Sequence, residues 1–253
     1  MSTSEQLLNR TKESRSQSYN NQVIEDGKEV VGPYSKDENN VLDYTKLKPN
    51  IPYLVNLTLT CGLSSMQLGA ALSASGEIGP VLKYQLDWPK DKVNTYQTLI
   101  STASVLGISI GAVIGGQIIA HGRRRAVIIF NIAGIIGSLL SVIPHLAIIS
   151  IGRFIYGFSS GVLVTATPKI IEETIPSHYM DYGYGTSTGL AINLFVMISL
   201  LGGLLLPPET DVTALSNTQS WRILYLIPIP LMGLALFLTF FVHKYDSVQY
   251  HVE

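Results

Sequence analysis

Few side chains in this 253-residue chain could do covalent chemistry, and their spacing argues against it. The five histidines, His121, His145, His178, His243 and His251, never fall at the four-residue separation that would set two imidazoles on one helical face, so no metal ligand set is expected. Cys61 is the sole cysteine, which rules out an intramolecular disulfide and a cysteine metal cluster. There is no phosphate-binding glycine loop and no pair of carboxylates inside an apolar run. Glu172 and Glu173 stand together where a long apolar stretch ends, and they read as a charge cluster at a helix exit rather than a catalytic pair. No enzymatic activity and no cofactor are expected. The residues left are suited to ion pairing and hydrogen bonding in an apolar medium: Arg123, Arg124 and Arg125 in succession, Arg153 inside an apolar run, and Gln67 among small residues.

The elements that must position them are transmembrane helices. Only 14% of residues are charged and 47% are hydrophobic, with the apolar residues clustered. The 17 Lys and Arg nearly balance the 18 Asp and Glu, so the net charge points to no nucleic-acid partner. Uncharged runs extend from Pro49 to Gly76, from Val93 to His121 and from Ala126 to Gly152. A hydrocarbon core of about 30 Å needs roughly 20 helical residues, and irregular backbone cannot face lipid without unsatisfied amides. Six spans are predicted, at about 53–75, 98–120, 126–144, 147–171, 186–206 and 222–242. Residues 1–48 are polar, rich in Ser, Asn, Gln and Glu, and cannot bury a core of their own. The predicted organisation is therefore a polar arm (1–48) ordered by partners, a six-helix domain (49–243) and a short polar tail (244–253).

The connections orient these spans. The arm, the turn after the second span, the loop after the fourth and the tail together hold twelve Lys or Arg, whereas the opposite side holds four. The positive-inside bias then puts both termini on the cytosolic or matrix side. Gly107, Gly111 and Gly115 recur at four-residue spacing in the second span, as do Gly157 and Gly161 in the fourth. Such glycines let helix backbones approach closely in lipid.

Four stretches carry a wider likeness. The first span reads GLSSMQLGAALSAS, with Gly62, Gln67 and Gly69 in a GSxQFGY-like frame. The turn after the second reads GGQIIAHGRRR, with Gly115, Gly122, Arg123 and Arg124 in a GxxxDxxGRR-like frame. The fourth span and its exit read GRFIYGFSSGVLVTATPKIIEETIP, and the sixth opens on Trp221 and Arg222 and holds Pro228 and Pro230. In this order and spacing they resemble the sugar porters of the major facilitator superfamily, specifically the amino-terminal six-helix half. The resemblance implies an all-α membrane protein, a six-transmembrane-helix bundle. It also implies an inner gating network of Gly115, Gly122, Arg123, Arg124, Arg153 and Glu173, in which Arg123, Arg124 and Glu173 face one another. The residues aligned with, or nearest to, a sugar site are Gln67, Thr188 beside Ser187, and Asn193. They are a thin, vestigial set for a polyhydroxylated ligand, and a lone glutamine in a span is more often an interhelical hydrogen bonder.

The departures shape the functional expectation. The gate position that is Asp or Asn in the family is Ile119, and the carboxylate that proton-coupled members keep on the first helix aligns with Ala71. Neither side chain can accept a proton or pair with an arginine. The family continues into six more helices where this sequence ends in HKYDSVQYHVE. Two readings result. One is a degenerate half-transporter acting as an accessory subunit of a large membrane complex, partnered by other membrane subunits and lipids, with the mitochondrial inner membrane and a respiratory assembly as its suspected setting. The other is an active carrier of a sugar or polyol built from two six-helix halves, as a homodimer or with a separate second half, in a plasma or endosomal membrane.

Overall fold

The computed structural model describes residues 51–120, 122–175, 186–207 and 212–241. The expected arm, most of the loop after the fourth span and the tail lie outside these residues. Every regular element among them is helical: α1 (Ile51–Gln85), a 3-10 turn (Lys90–Lys92), α2 (Val93–Ile119), α3 (Arg123–Ser141), α4 (Leu146–Thr174), α5 (Ser187–Gly203), α6 (Val212–Asn217), α7 (Ser220–Leu226) and α8 (Pro228–Phe241). Four helical stretches are long and apolar enough to cross a membrane: Lys90–Ile119, Arg123–Ser141, Leu146–Thr174 and Ser220–Phe241. The shorter apolar helix α5 and the long, more polar α1 complete the bundle of six.

Two spans differ from expectation. The first was predicted to stop near residue 75, but α1 continues through Gly76, Glu77 and Pro80 to Gln85. At 35 residues and about 1.5 Å per residue it is roughly 52 Å long, well beyond a hydrocarbon core of about 30 Å. Its far end is held by an apolar cluster: Ile78, Val81 and Leu82 pack with Trp88, Leu215 and Trp221. Gln85 adds a hydrogen bond from Nε2 to the Thr218 carbonyl at 2.5 Å. The sixth span is broken into α7 and α8 at Ile227. Pro228 and Pro230 bring no N–H to the helical ladder, so the carbonyls one turn earlier lose their usual donors.

What sets the helix spacing is glycine. A Cβ at Gly107 or Gly111 would lie within 3 Å of the α4 backbone at Phe154 or Phe158, and one at Gly157 or Gly161 would meet the α2 backbone at Ser104 or Ile108. Gly137 and Gly152 do the same between α3 and α4, each facing the other's carbonyl oxygen at 2.9 Å from its Cβ position. Gly69 brings α1 against the backbone of α5 at Ile192 and Val196. Helix α4 is thus clasped at backbone distance on two sides, and its buried residues run along most of its length. The outward faces are apolar, with Val113, Ile129, Leu190, Leu201 and Phe237 more than half exposed, as lipid-facing surface requires.

These contacts make a paired test. Gly161→Ala puts a methyl into the α2 backbone, whereas nothing lies within 4 Å of a Cβ at Gly116 on the same interface's outer side. Overpacking of this kind costs about 1–3 kcal/mol. Gly161→Ala is expected to lower the melting midpoint of the purified chain by about 5 °C, and Gly116→Ala to leave it unchanged or slightly raised. Equal effects of the two substitutions in a thermal melt would contradict close α2–α4 packing.

Candidate functional site

Three polar centres lie inside the bundle, each at a different depth. The first is at the end where α2 turns into α3. Gly122 makes that turn with φ of 132°, a left-handed conformation that side chains rarely adopt, and its N–H donates to the Ile119 carbonyl at 3.0 Å. The turn delivers Arg123 as the first residue of α3. Arg123 meets both carboxylate oxygens of Glu173, the penultimate residue of α4: Nη2 donates to Oε1 at 2.7 Å, and Nε lies 2.6 Å from Oε2. With side-chain exposures of 7% and 11%, the pair is largely out of water. Removing one partner would leave the other charge buried, which is far more costly than the pair itself is worth.

The expected network is only partly assembled. Arg123 and Glu173 come together, but Arg124 turns the other way, its guanidinium 5.8 Å from the centre of the Phe240 ring on α8. Arg153 does not join them. It lies about 30 Å farther back along α4, at about 1.5 Å of rise per residue. The family resemblance grouped it with them; helix length separates them. Gly115 contributes by packing, its Cβ position closed off by Thr165 and Val162 of α4. Ile119 is buried at 1% exposure directly before the turn, so the position to which the family resemblance assigns an acceptor is filled with apolar surface.

The second centre is an amide network at mid-depth. Gln67 on α1 donates from Nε2 to Asn131 Oδ1 on α3 at 2.9 Å, and its Oε1 accepts from Ser159 Oγ on α4 at 3.1 Å. Asn131 Nδ2 donates in turn to Ser64 Oγ at 3.1 Å and to the Val127 carbonyl at 2.8 Å. Nearer the Arg123 end, Ser65 and Thr167 share a 2.6 Å hydrogen bond between α1 and α4. Gln67 and Asn131 are 1% and 0% exposed. Gln67 is therefore a tie between three helices, with its amide spent on them. Of the other two residues considered for a sugar site, Thr188 is buried at the start of α5, and Asn193 is exposed and donates to Gly189 of its own helix at 2.9 Å. The three do not converge. Sequence reasoning missed Asn131, although an amide in the apolar run AVIIFNIAGIIG was a visible signal.

The third centre surrounds Arg153, which is 2% exposed. Its Nη2 donates to the backbone carbonyl of Ala71 at 2.5 Å, and its guanidinium lies 5.5 Å and 5.2 Å from the ring centres of Tyr156 and Tyr225. The arginine thus stands directly beside Ala71, the position to which the family resemblance assigns a carboxylate in proton-coupled members. Among the described residues, no group of three or more His, Cys, Asp or Glu is placed to hold a metal ion.

Two measurements separate these roles. In a double-mutant cycle on Arg123→Ala and Glu173→Ala, the pair is expected to show a coupling of about 1–3 kcal/mol in thermal melts; an additive result would remove the latch. Gln67→Leu is expected to cost about 1–2 kcal/mol of stability, and an unchanged melting midpoint would return Gln67 to a binding role.

Comparison with known proteins agrees with this architecture. The family model described as Sugar (and other) transporter matches residues 12–253. Hexose transporter 1 of Toxoplasma gondii is 28% identical over 78% of this chain and 37% of its own length. Hexose transporter 1 of Plasmodium vivax is 28% identical over 77% of this chain and 41% of its own, and the probable plastidic glucose transporter 1 of Arabidopsis thaliana is 30% identical over 66% and 30%. Among solved structures, the proton:xylose symporter XylE superposes with a TM-score of 0.71 at 18% identity, covering 81% of this chain and 47% of that one. An inward-open form of XylE from E. coli gives 0.65 at 17% identity. The chain spans less than half the length of each of these proteins. With its glycine-clasped helices, its Arg123–Glu173 pair and a family match running from residue 12 to residue 253, the chain belongs to the sugar transporter family of the major facilitator superfamily.

Proposed function

We propose that this chain forms one six-helix half of a membrane carrier for a sugar or polyol and moves its substrate passively, against a second six-helix half. The observation that carries the reading is the Arg123–Glu173 pair, held between α3 and α4 at the end of the bundle where the positive-inside bias puts the cytosol. In a carrier whose halves rock about a central site, a buried pair at that end keeps the two helices of one half moving together. The relatives named above are hexose, glucose and xylose carriers, which argues for a polyhydroxylated substrate. An inositol transporter of Arabidopsis thaliana is also 29% identical over 50% of this chain.

Passive transport is argued from Ala71. An ionisable group on α1 beside Arg153 could take up and release a proton with the substrate; a methyl group 2% exposed cannot. The amide network points the same way for substrate contacts. Because Gln67 is spent on Asn131 and Ser159, the groups that read the hydroxyls of a sugar must come mainly from the second half.

The accessory-subunit reading rests on the departures at Ile119 and Ala71. The relatives are named as carriers, which favours transport, and they lend no support to a place in a mitochondrial respiratory assembly. Both termini on the cytosolic side, and a plasma or endosomal membrane, complete the proposal.

The test is uptake of labelled hexoses and inositol by cells lacking their own hexose carriers, expressing this chain alone and together with a carboxy-terminal six-helix half from a relative. Saturable uptake that falls less than twofold when a protonophore collapses the proton gradient is the expected result. Uptake abolished by the protonophore would overturn the passive mechanism. No uptake in either arrangement, with the chain migrating in a large hetero-oligomer on a native gel, would replace transport with the accessory role.

A further inference from the structure

Arg125 stands apart from the other two arginines of its turn. Arg123 is paired with Glu173 and Arg124 lies over the Phe240 ring, whereas Arg125 is exposed and makes no ion pair among the described residues. It heads a stripe of exposed apolar residues on α3, Ile129, Ile132, Ile136 and Leu139, which follow one another at the three- and four-residue steps of a single helical face. Leu139 lies about 21 Å along the axis from Arg125, at about 1.5 Å per residue, so the stripe runs through most of a hydrocarbon core of about 30 Å. Its arginine is therefore at headgroup level, at the end that the positive-inside bias assigns to the cytosol. Helix α4 packs on a different face of α3, that of Gly137, about 120° round the helix from Arg125. Close by is the end of α8, brought there by the contact of Arg124 with Phe240. Phe237, Phe240 and Phe241 are each more than half exposed there, and the rings of Phe237 and Phe241 have their centres 4.6 Å apart.

We propose that this edge of the bundle binds one anionic phospholipid of the inner leaflet, with its phosphate on Arg125 beside Arg124 and an acyl chain along the α3 stripe. A guanidinium suits a phosphate because its planar fork of N–H donors matches the phosphate oxygens in pairs. An anionic headgroup leaves a net negative charge for the second arginine, which a zwitterionic headgroup does not. The carboxylate that could compete, Glu173, is already paired with Arg123. A free phosphate ion would meet the same donors but would gain nothing from Ile129, Ile132 or the exposed phenyl rings. The lipid would bridge the start of α3 and the end of α8, two segments far apart in the chain, and so stabilise the folded bundle. The inference uses the membrane orientation of the bundle and does not depend on the transport reading.

The experiment is a thermal melt of the purified full chain in a neutral detergent, titrated with phosphatidylglycerol, with phosphatidylcholine of the same acyl chains, or with sodium phosphate at constant ionic strength. A saturable rise of about 3 °C or more with phosphatidylglycerol, absent with the other two, is expected for a ligand that binds only the folded state. Arg125→Gln, at an exposed position, should leave the lipid-free midpoint unchanged and weaken the apparent affinity for phosphatidylglycerol at least threefold. Lys169→Gln removes another exposed cation, from α4 and outside the stripe, and should weaken it less than twofold. An equal rise with phosphatidylcholine or with free phosphate would overturn the proposal, as would a loss in Lys169→Gln as large as that in Arg125→Gln, which would mean a diffuse attraction to basic charge. A change smaller than threefold in Arg125→Gln would overturn it as well.

Discussion

The structure depends on backbone-to-backbone contact around α4. In lipid, apolar side chains gain nothing by leaving one apolar medium for another, so helices associate through close packing and through hydrogen bonds made where packing is close. Gly157 and Gly161 meet Ser104 and Ile108 of α2, and Gly152 meets Gly137 of α3. Every one of these positions would clash if it carried a Cβ. The glycines therefore do more than tolerate proximity: they set the distance at which the buried side chains of α1, α3 and α4 can reach one another.

That distance is what makes the polar interior possible. Gln67, Asn131, Ser64 and Ser159 form a chain of hydrogen bonds of 2.9–3.1 Å across three helices, each group satisfied by a neighbour that close packing puts within reach. Were the helices an ångström farther apart, the same amides would be unsatisfied in a medium without water, at a cost of a few kcal/mol each. The Arg123–Glu173 pair follows the same logic at the end of the bundle, where Gly122 turns the chain sharply enough for α3 to begin with its arginine against the last turn of α4. Arg153 follows it on the opposite half of α4, its charge set against two aromatic faces and a backbone carbonyl. Together these contacts tie the bundle at three depths.

Much of this architecture was legible in the sequence, and the reason is that it is local. A run of about 20 apolar residues must be helical in a bilayer whatever surrounds it. Glycines at four-residue spacing must share one helical face, and a glycine before three arginines marks a turn at the membrane surface. The six-helix bundle and the packing role of Gly107 to Gly115 came from such rules, whereas a meeting of Arg123 and Arg124 with Glu173 was implied only by the family resemblance. The length of α1 did not, because the uncharged run stops at Gly76 before Glu77; the cluster with Leu215 and Trp221, far away in sequence, packs against that stretch.

The composition and periodicity of this chain by themselves determined that it is a membrane-embedded helical bundle and which faces are small, apolar or polar. Tertiary structure alone decided which polar groups meet. Successive residues of a helix point about 100° apart, so a small rotation of one helix about its axis exchanges one partner for another. Arg123 rather than Arg124 reaches Glu173, Gln67 turns to Asn131 and Ser159 while Asn193 faces outward, and Arg153 meets Ala71 rather than the other arginines. Those choices are set by how the glycine faces dock, a property of the assembled bundle that no single span contains.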